Sequence, residues 1–499
     1  MSESLKQKTF KGTIWSAIEQ FSVQGIQFVV MIFMARLLMP SDYGIVGMIT
    51  IFIAICNSFI NSGFSNALIR KQDRTPVDES TVFYFNIVVG FFLYGVLFFC
   101  APLIAKFYNE PVLTPITRAV GLSLIFGSLC VVQRAQYTLR IDFKTQARAS
   151  LSAAALSGIT GIIFAYYGFG VWALVIQQIV SMVVNSSLLW IFSPWRPIRA
   201  FSWTSLKTMF GFGSRLLASG LLDTIYGNMY SLVIGKVFSA SSLGFYSRAK
   251  GFGQMASSNI TMIIQRVTYP VLCKLQNDDE SLRNGYSRMM RTTAFVVFPL
   301  MFGMAAIAKP LIATLVGEKW LFSAALLVPV CLNLMWYPIH AMNLNLLQVK
   351  GRSDLFLRLE IIKKILGVTV LIISIPFGLL AMCWIRIINN FICIYINTYY
   401  TGKLVNLGFF RQMKDIMPTL LLSLVMGVIV WLTISILHLP DSVIMTIGII
   451  EGAAFYVGTA KLLRFPEFAE IISLIKRNPK KQTPSKELSE SPTEGLLPD

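Results

Sequence analysis

The chain has 499 residues, 55% of them hydrophobic and 13% charged, with a net charge of +19 and a mean hydropathy of +0.65. A soluble globular chain carries about 25% charged residues, so half that share excludes a soluble, a disordered and a fibrous protein. The surplus cations sit in loops between apolar runs, which points to orientation in a membrane rather than to nucleic acid.

The N-terminal MSESLKQKTFKGT has no cleavage signal and leads into a long apolar run, so no removable signal peptide is expected. Apolar runs then predict fourteen spans near 13–37, 43–67, 81–104, 112–134, 146–167, 170–192, 207–237, 244–270, 287–308, 321–348, 354–375, 378–400, 416–437 and 442–463. With the N-terminus inside, thirty-four of the 43 Lys and Arg fall on inner segments and eight on outer ends, with Arg386 within a span. That bias predicts cytoplasmic N- and C-termini. The seven Cys are scattered through apolar runs without paired spacing and read as packing residues.

The chain repeats itself. Arg36-Leu-Leu-Met-Pro-Ser-Asp-Tyr-Gly44 after span one matches Lys236-Val-Phe-Ser-Ala-Ser-Ser-Leu-Gly244 after span seven in its cation and glycine, at an offset of 200. Pro102-Leu-Ile-Ala105 returns as Pro310-Leu-Ile-Ala313 at an offset of 208, with Glu110 and Glu318 following. The expected fold is an all-α polytopic membrane protein of about fourteen helices: two pseudo-symmetric six-helix bundles (1–199 and 200–403), helices 13 and 14 as a terminal hairpin (404–463), and a polar, Pro-rich, disordered cytoplasmic tail (464–499).

Polar residues within spans must face protein or trapped water. On helical wheels, Ser16, Glu19, Gln20, Gln24 and Gln27 of span one share an arc of about 140°, and Asn57, Asn61 and Ser65 of span two one of about 80°. Arg215, Ser219, Asp223, Tyr226 and Tyr230 of span seven share about 80°, and Lys250, Gln254, Ser257, Thr261, Gln265 and Thr268 of span eight about 100°. The wettest stripes thus fall on matching helices of the two halves, which favours a central aqueous cavity over hydrogen bonding in a dry bundle. Glu19 and Asp223 are candidates for coupling to a cation or proton, for holding a neighbouring cation, or for a structural interhelix pair. Arg386, with Asn389 and Asn390 on its face, points to the cavity or to a pair. Arg248 and Arg266 fall on the opposite face of span eight and are expected to snorkel. Glu360 and Lys364 are spaced for a local pair, His340 shares an arc with Asn333, Tyr337 and Gln348, Glu451 has no assignable partner, and Asp42 after Pro40-Ser41 reads as a helix cap. Two His and no acidic cluster argue against a bound metal. There is no phosphate-binding loop, no nucleophile elbow, no aspartate-rich glycosyltransferase motif and no large outer loop; an enzyme is not expected.

Gly12-Thr-Ile-Trp-Ser16, Ala35-Arg-Leu-Leu-Met-Pro-Ser-Asp-Tyr-Gly44, Ser62-Gly-Phe-Ser-Asn-Ala-Leu-Ile-Arg-Lys71 and Gln133-Arg-Ala-Gln-Tyr-Thr-Leu-Arg-Ile-Asp-Phe-Lys144 together resemble the polysaccharide-exporter branch of the multidrug/oligosaccharidyl-lipid/polysaccharide flippase superfamily. The resemblance is nearest to its colanic-acid type of lipopolysaccharide-biosynthesis flippase, and it weakens to pattern in the C-terminal half. It implies two six-helix bundles plus a hairpin in the bacterial inner membrane, carrying an undecaprenyl-pyrophosphate-linked oligosaccharide outward by alternating access. The residues are compatible: Arg215, Lys250 and Arg386 supply cations for a pyrophosphate. Gln24, Gln27, Asn57, Asn61, Gln254 and Tyr226 supply amides and an aromatic face for sugar, and an apolar groove beside spans thirteen and fourteen would take the tail. Partners implied are membrane lipids, a polysaccharide polymerase and glycosyltransferases, with no nucleic acid and no cofactor beyond a coupling Na⁺ or H⁺. Two alternatives stay open: a drug or organic-cation antiporter of the same superfamily, and a membrane enzyme of glycan assembly such as a polymerase.

Overall fold

A computed structural model describes residues 5–61 and 64–476, and every described element is helical. In chain order these are α1 (Leu5–Leu37), α2 (Pro40–Ile60), α3 (Phe64–Arg70), α4 (Pro76–Tyr108), α5 (Leu113–Ser128), α6 (Val131–Arg140), α7 (Phe143–Tyr166), α8 (Val171–Phe192), α9 (Trp203–Val237) and α10 (Ala240–Lys274). They continue with α11 (Asp279–Ala306), α12 (Ala308–Val316), α13 (Leu321–Leu334), α14 (Tyr337–Val349), α15 (Ser353–Ser374), α16 (Gly378–Val405), α17 (Phe409–Ile436), α18 (Asp441–Leu462) and α19 (Pro466–Lys476). Ten of the described helical runs are long and apolar enough to cross a membrane, or eleven when α5 and α6, bent by 41°, count as one span. The chain is a multi-pass membrane protein.

Local chemistry sets the boundaries. Thr75 Oγ1 accepts from the Asp78 amide (3.2 Å) and Asp78 Oδ2 accepts from the Thr75 amide (2.7 Å), a reciprocal cap that starts α4 ahead of Pro76. Asp42 Oδ2 reaches back to the Met39 amide at 2.8 Å, the capping role its sequence context suggests. Ser202, Ser239 and Asp278 cap α9, α10 and α11. The seven cysteines are free, and five are buried.

Around α2 the chain folds into two groups of helices. On one side α2 meets α5 and α8, with α4 along α5 and α7 along both α8 and α1; on the other it meets α9 and α10. Beyond α10 lie α11, α13 and α14; α15 pairs with α16, α17 runs along α11, and α18 packs on α17 and α12. The two groups touch most closely where α2 and α10 begin. A Cβ on Gly44 would collide with the carbonyl oxygen of Ala240, and one on Gly244 with that of Pro40, so only glycine lets the backbones approach this far. Contacts across the same end are reciprocal. Arg36 donates to the carbonyls of Thr314 and Leu315 at the end of α12 (3.0 Å to Leu315), and Lys236 donates to that of Phe107 at the end of α4. Lys319 Nζ and Trp320 Nε1 bond the carbonyls of Arg36 and Ala35, each at 2.8 Å.

Two expectations change. The second span, expected over 43–67, breaks after Ile60 and resumes as α3; Ser62 lies outside the described residues. A disordered tail from 464 is corrected over Pro466–Lys476, where α19 docks on α11. Arg288 pairs with Glu470 at 2.9 Å and Arg291 with Glu467 at 3.5 Å, and Phe468 and Ile471 join the apolar cluster around Phe295. The polar composition of the whole 36-residue segment hides this short amphipathic stretch; residues 477–499 lie outside the described residues.

Candidate functional site

The polar stripes of α1 and α10 face each other across a cavity of about 470 Å³ lined by Gln24, Gln27, Gln254, Ser258 and Asn259, with Phe28, Met31, Gly251 and Met255 between them. The spacings 24/27 and 251/254/258 keep these residues on one side of each helix. Gln24 and Asn259 exchange two amide hydrogen bonds across it, at 3.2 and 3.0 Å, and on the neighbouring pair α2 and α9, Ser58 and Thr224 share one at 2.9 Å.

Gln254 also lines a smaller pocket, about 50 Å³, with Tyr246, Lys250, Asn333, Cys383 and Arg386. The Arg386 guanidinium lies 4.2 Å from the Tyr230 ring centre and donates to the Tyr246 hydroxyl at 2.7 Å. Among the described residues, Lys250 Nζ reaches the Gly227 carbonyl, at 3.5 Å. Nearby carboxylates are committed elsewhere: Glu360 to Lys363 at 2.5 Å and Asp223 to Lys364. Among the described residues, neither Lys250 nor Arg386 makes an ion pair. Two half-buried cations without a carboxylate partner among the described residues complement an anion.

Phe28 and Met255 belong both to the polar cavity and to an apolar groove of about 680 Å³. The groove runs between α10, α11, α12 and α18, past Pro299, Gly303, Gly448, Gly452 and Tyr456. A polar chamber, a basic pocket and an apolar channel thus adjoin.

Of the residues proposed from sequence, Gln24, Gln27, Gln254, Lys250 and Arg386 come together here. Tyr226 stands near Arg386, with its hydroxyl packed against Gly367 of α15. Asn57 turns toward Gly127 of α5, and Asn61 caps the end of α2. Glu19 accepts a hydrogen bond from Ser150 of α7 at 2.7 Å. The Arg215 and Arg266 side chains lie outside the described residues. Lys364 pairs with Asp223 rather than with Glu360, which takes Lys363. Asp223 in that pair is 64% exposed. Arg248, expected to snorkel, is buried between the rings of Tyr43 and Trp320. His340 is held between Asn390 (2.5 Å) and Asn397 (2.8 Å). Glu451 accepts from Thr433 at 2.8 Å. No cluster of metal ligands occurs among the described residues.

Sequence reasoning missed Tyr246 and Asn259. The wheel of span eight assigned Ser257 and Thr261 to the wet face, yet Ser257 donates to the Leu334 carbonyl of α13 at 2.6 Å and Thr261 to the Ser257 carbonyl at 2.8 Å. Both hydroxyls are buried and satisfied by backbone. The cavity face of α10 is carried instead by Gln254, Ser258 and Asn259.

A family described as polysaccharide biosynthesis protein matches residues 33–325, more than half the chain. The teichuronic acid biosynthesis protein TuaB of Bacillus subtilis (strain 168) is 26% identical, over 91% of this chain and 95% of its own length. The lipopolysaccharide biosynthesis protein WzxC of Escherichia coli (strain K12) is 23% identical, over 85% of this chain and 89% of its own. Among solved structures, the lipid II flippase MurJ in an inward closed conformation superposes with a TM-score of 0.75 at 16% identity, covering 93% of this chain and 100% of that one. An inward-facing multidrug resistance MATE family transporter of the MOP superfamily superposes with a TM-score of 0.60 at 18% identity, covering 79% and 94%. These two likenesses show a shared fold.

Proposed function

The chain belongs to the polysaccharide biosynthesis protein family, and we propose that it is a flippase moving an undecaprenyl-pyrophosphate-linked oligosaccharide across the bacterial inner membrane by alternating access. The observation that carries this reading is the junction of three environments at Gln254, Phe28 and Met255. The amides of Gln24, Gln27, Gln254 and Asn259 suit sugar hydroxyls. Lys250 and Arg386, lacking a carboxylate, suit the pyrophosphate. The groove along α18 suits a polyprenyl tail. Its relatives TuaB and WzxC, named for teichuronic acid and lipopolysaccharide biosynthesis, support a glycan cargo. Glycosyltransferases that build it and a polymerase that consumes it are the partners such a substrate calls for.

Fourteen spans remain our reading of the topology. The 53-residue run Ser353–Val405 contains both α15 and α16, parted by a turn at Gly378, and α9 and α10 are long enough to span while carrying polar residues on one face. Pseudo-symmetric halves are supported by the crossed contacts: Gly44 and Gly244 are repeat mates, and so are the acceptor positions Leu315 and Phe107, 208 residues apart. The cation bias supports cytoplasmic termini, which makes the Gly44–Gly244 seam the outer end, closed in this state. Glu19 and Asp223 are the carboxylates through which H⁺ or Na⁺ would be coupled, Asp223 through its ion pair with Lys364.

The drug-antiporter reading wants a dominant acidic site, whereas the pocket beside the cavity is cationic. An enzyme is disfavoured by the absence of a reacting constellation and by its flippase-like fold. Purified protein in liposomes tests all three. Transfer of a fluorescent lipid-linked oligosaccharide to the opposite leaflet, chemically unchanged, is expected; a longer glycan product, or exchange of organic cations without lipid transfer, would overturn the proposal.

A further inference from the structure

Arg248 is a buried cation that the transport path described above does not use. It is 6% exposed. Its guanidinium lies 4.2 Å from the ring centre of Tyr43 and 5.0 Å from that of Trp320. Its Nε has no hydrogen-bond partner, and among the described residues it makes no ion pair. Aromatic faces return only part of what a guanidinium loses on leaving water. The cover itself is divided across the seam. Tyr43 precedes Gly44 on α2, while Arg248 sits one turn beyond Gly244 on α10, and the Tyr43 and Trp320 rings meet edge-on at 5.4 Å. When α2 parts from α10, Tyr43 leaves with α2. The same parting breaks the bonds of Arg36 and Lys319 to carbonyls across the seam, while Asp42, the neighbouring carboxylate, stays tied to the Met39 amide of its own helix. The opened end then carries Arg36, Lys236, Arg248 and Lys319 against Asp42, Glu110 and Glu318.

We propose that Arg248 is a second anion-binding site, covered while the outer seam is shut and uncovered when it opens, where it takes a phosphate of the departing pyrophosphate. This inference rests on the flippase reading and on cytoplasmic termini. Arg248 and Lys250 are separated by about 3 Å of helical rise and about 200° of rotation. A diphosphate held by Lys250 and Arg386 therefore meets Arg248 by passing around one helix at nearly constant depth. The planar fork of arginine suits two phosphate oxygens at once.

The test uses full-length protein in nanodiscs and inorganic pyrophosphate as the probe, read by calorimetry. Lys250→Gln and Arg386→Gln together silence the first site, and Gly44→Val holds the seam open by its clash with the Ala240 carbonyl. The triple variant should bind pyrophosphate at least ~10-fold more tightly than the double variant, the size of one charge-assisted bond. Adding Arg248→Gln should erase that gain, and Arg248→Lys should keep part of it. A gain that survives Arg248→Gln, or no gain at all, overturns the proposal. If Gly44→Val does not fold, Gly244→Val serves, with an impermeant arginine reagent applied from outside and modification of Arg248 read by mass spectrometry. Labelling in the variant but not in the native seam, blocked by pyrophosphate, is expected; equal labelling in both, or labelling that pyrophosphate leaves unchanged, refutes it. Transport by the native protein is measured in parallel. Transport without an Arg248-dependent gain sinks this inference alone, whereas a gain without transport sinks the flippase reading.

Discussion

Replacing Arg386 should weaken substrate binding far more than it weakens the fold. Arg386→Gln removes the stacking on Tyr230 at 4.2 Å and the bond to the Tyr246 hydroxyl at 2.7 Å. Those contacts are worth about 0.5–2 kcal/mol and about 1.5–3 kcal/mol. Against them stands the partial desolvation of a half-buried guanidinium, which the variant no longer bears. The two sides nearly cancel, so the melting temperature in detergent should move by only a few degrees. Toward a pyrophosphate there is no such cancellation. One lost charge-assisted bond of about 1.5–3 kcal/mol corresponds to roughly 10- to 100-fold in affinity at a factor of ten per 1.4 kcal/mol. In proteoliposomes, the initial rate of leaflet transfer at sub-saturating lipid should fall by that factor. Adding Lys250→Gln should cost less than the product of the two single effects, because both cations address one anion. A folded Arg386→Gln protein that flips at the native rate at low substrate would refute the assignment of this pocket.

Further outcomes follow from other contacts. Gly244→Val should leave the outer end open, raising labelling of a cysteine placed at Gln27 by an impermeant reagent from outside; unchanged labelling would show that the seam tolerates a side chain. Asp223→Asn leaves Lys364 without its carboxylate at every pH, so any pH or sodium dependence of transport carried by this pair should disappear, while an unaltered profile would make the pair structural. Glu467→Lys sets a cation against Arg291 and should loosen α19, raising hydrogen exchange over 466–476. Glu467 is itself buried against α11, so the lysine is expected to undock α19 locally rather than unfold the protein, and unchanged exchange would mean that the Arg288–Glu470 pair, Phe468 and Ile471 hold the helix without it.

How much of this was legible beforehand depends on which physical signal carried it. Helix existence follows from apolar run length, which the chain states strongly, and the polar stripes of α1 and α10 marked the two helices whose amides meet across the cavity. Helix faces were read less well. Ser257 looks wet because it is polar, but its hydroxyl donates to the Leu334 carbonyl of α13; a wheel counts polarity and is blind to a partner on another helix. Ion pairs failed for the same reason. Glu360 and Lys364 fit the i,i+4 rule, yet α9 brings Asp223 to Lys364 and leaves Glu360 to Lys363, a tertiary choice that spacing within one helix does not encode. Arg248 shows the limit most clearly. Its cover comes from residues 43 and 320, far apart in the chain, and only the assembled seam brings both rings to it.

The composition of that seam bears on how readily the carrier can turn over. Its glycine contacts are backbone against backbone, so closure is sterically sharp, since almost nothing larger than hydrogen fits at positions 44 and 244. The attractions that hold it are weak by contrast. Arg36 and Lys236 sit at the C-terminal carbonyls of α12 and α4, positions worth about 0.3–1 kcal/mol each near water, and water can replace both on opening. Driving a two-state carrier from 1:99 to 99:1 takes about 5.5 kcal/mol of differential binding. Two or three charge-assisted bonds to a diphosphate, at about 1.5–3 kcal/mol each, are of that size, provided that some of them form only in the opened state. Lys250 and Arg386 are already placed in the closed-seam state and cannot supply that difference alone. A cation such as Arg248, hidden before opening and free after it, is the kind of group that would.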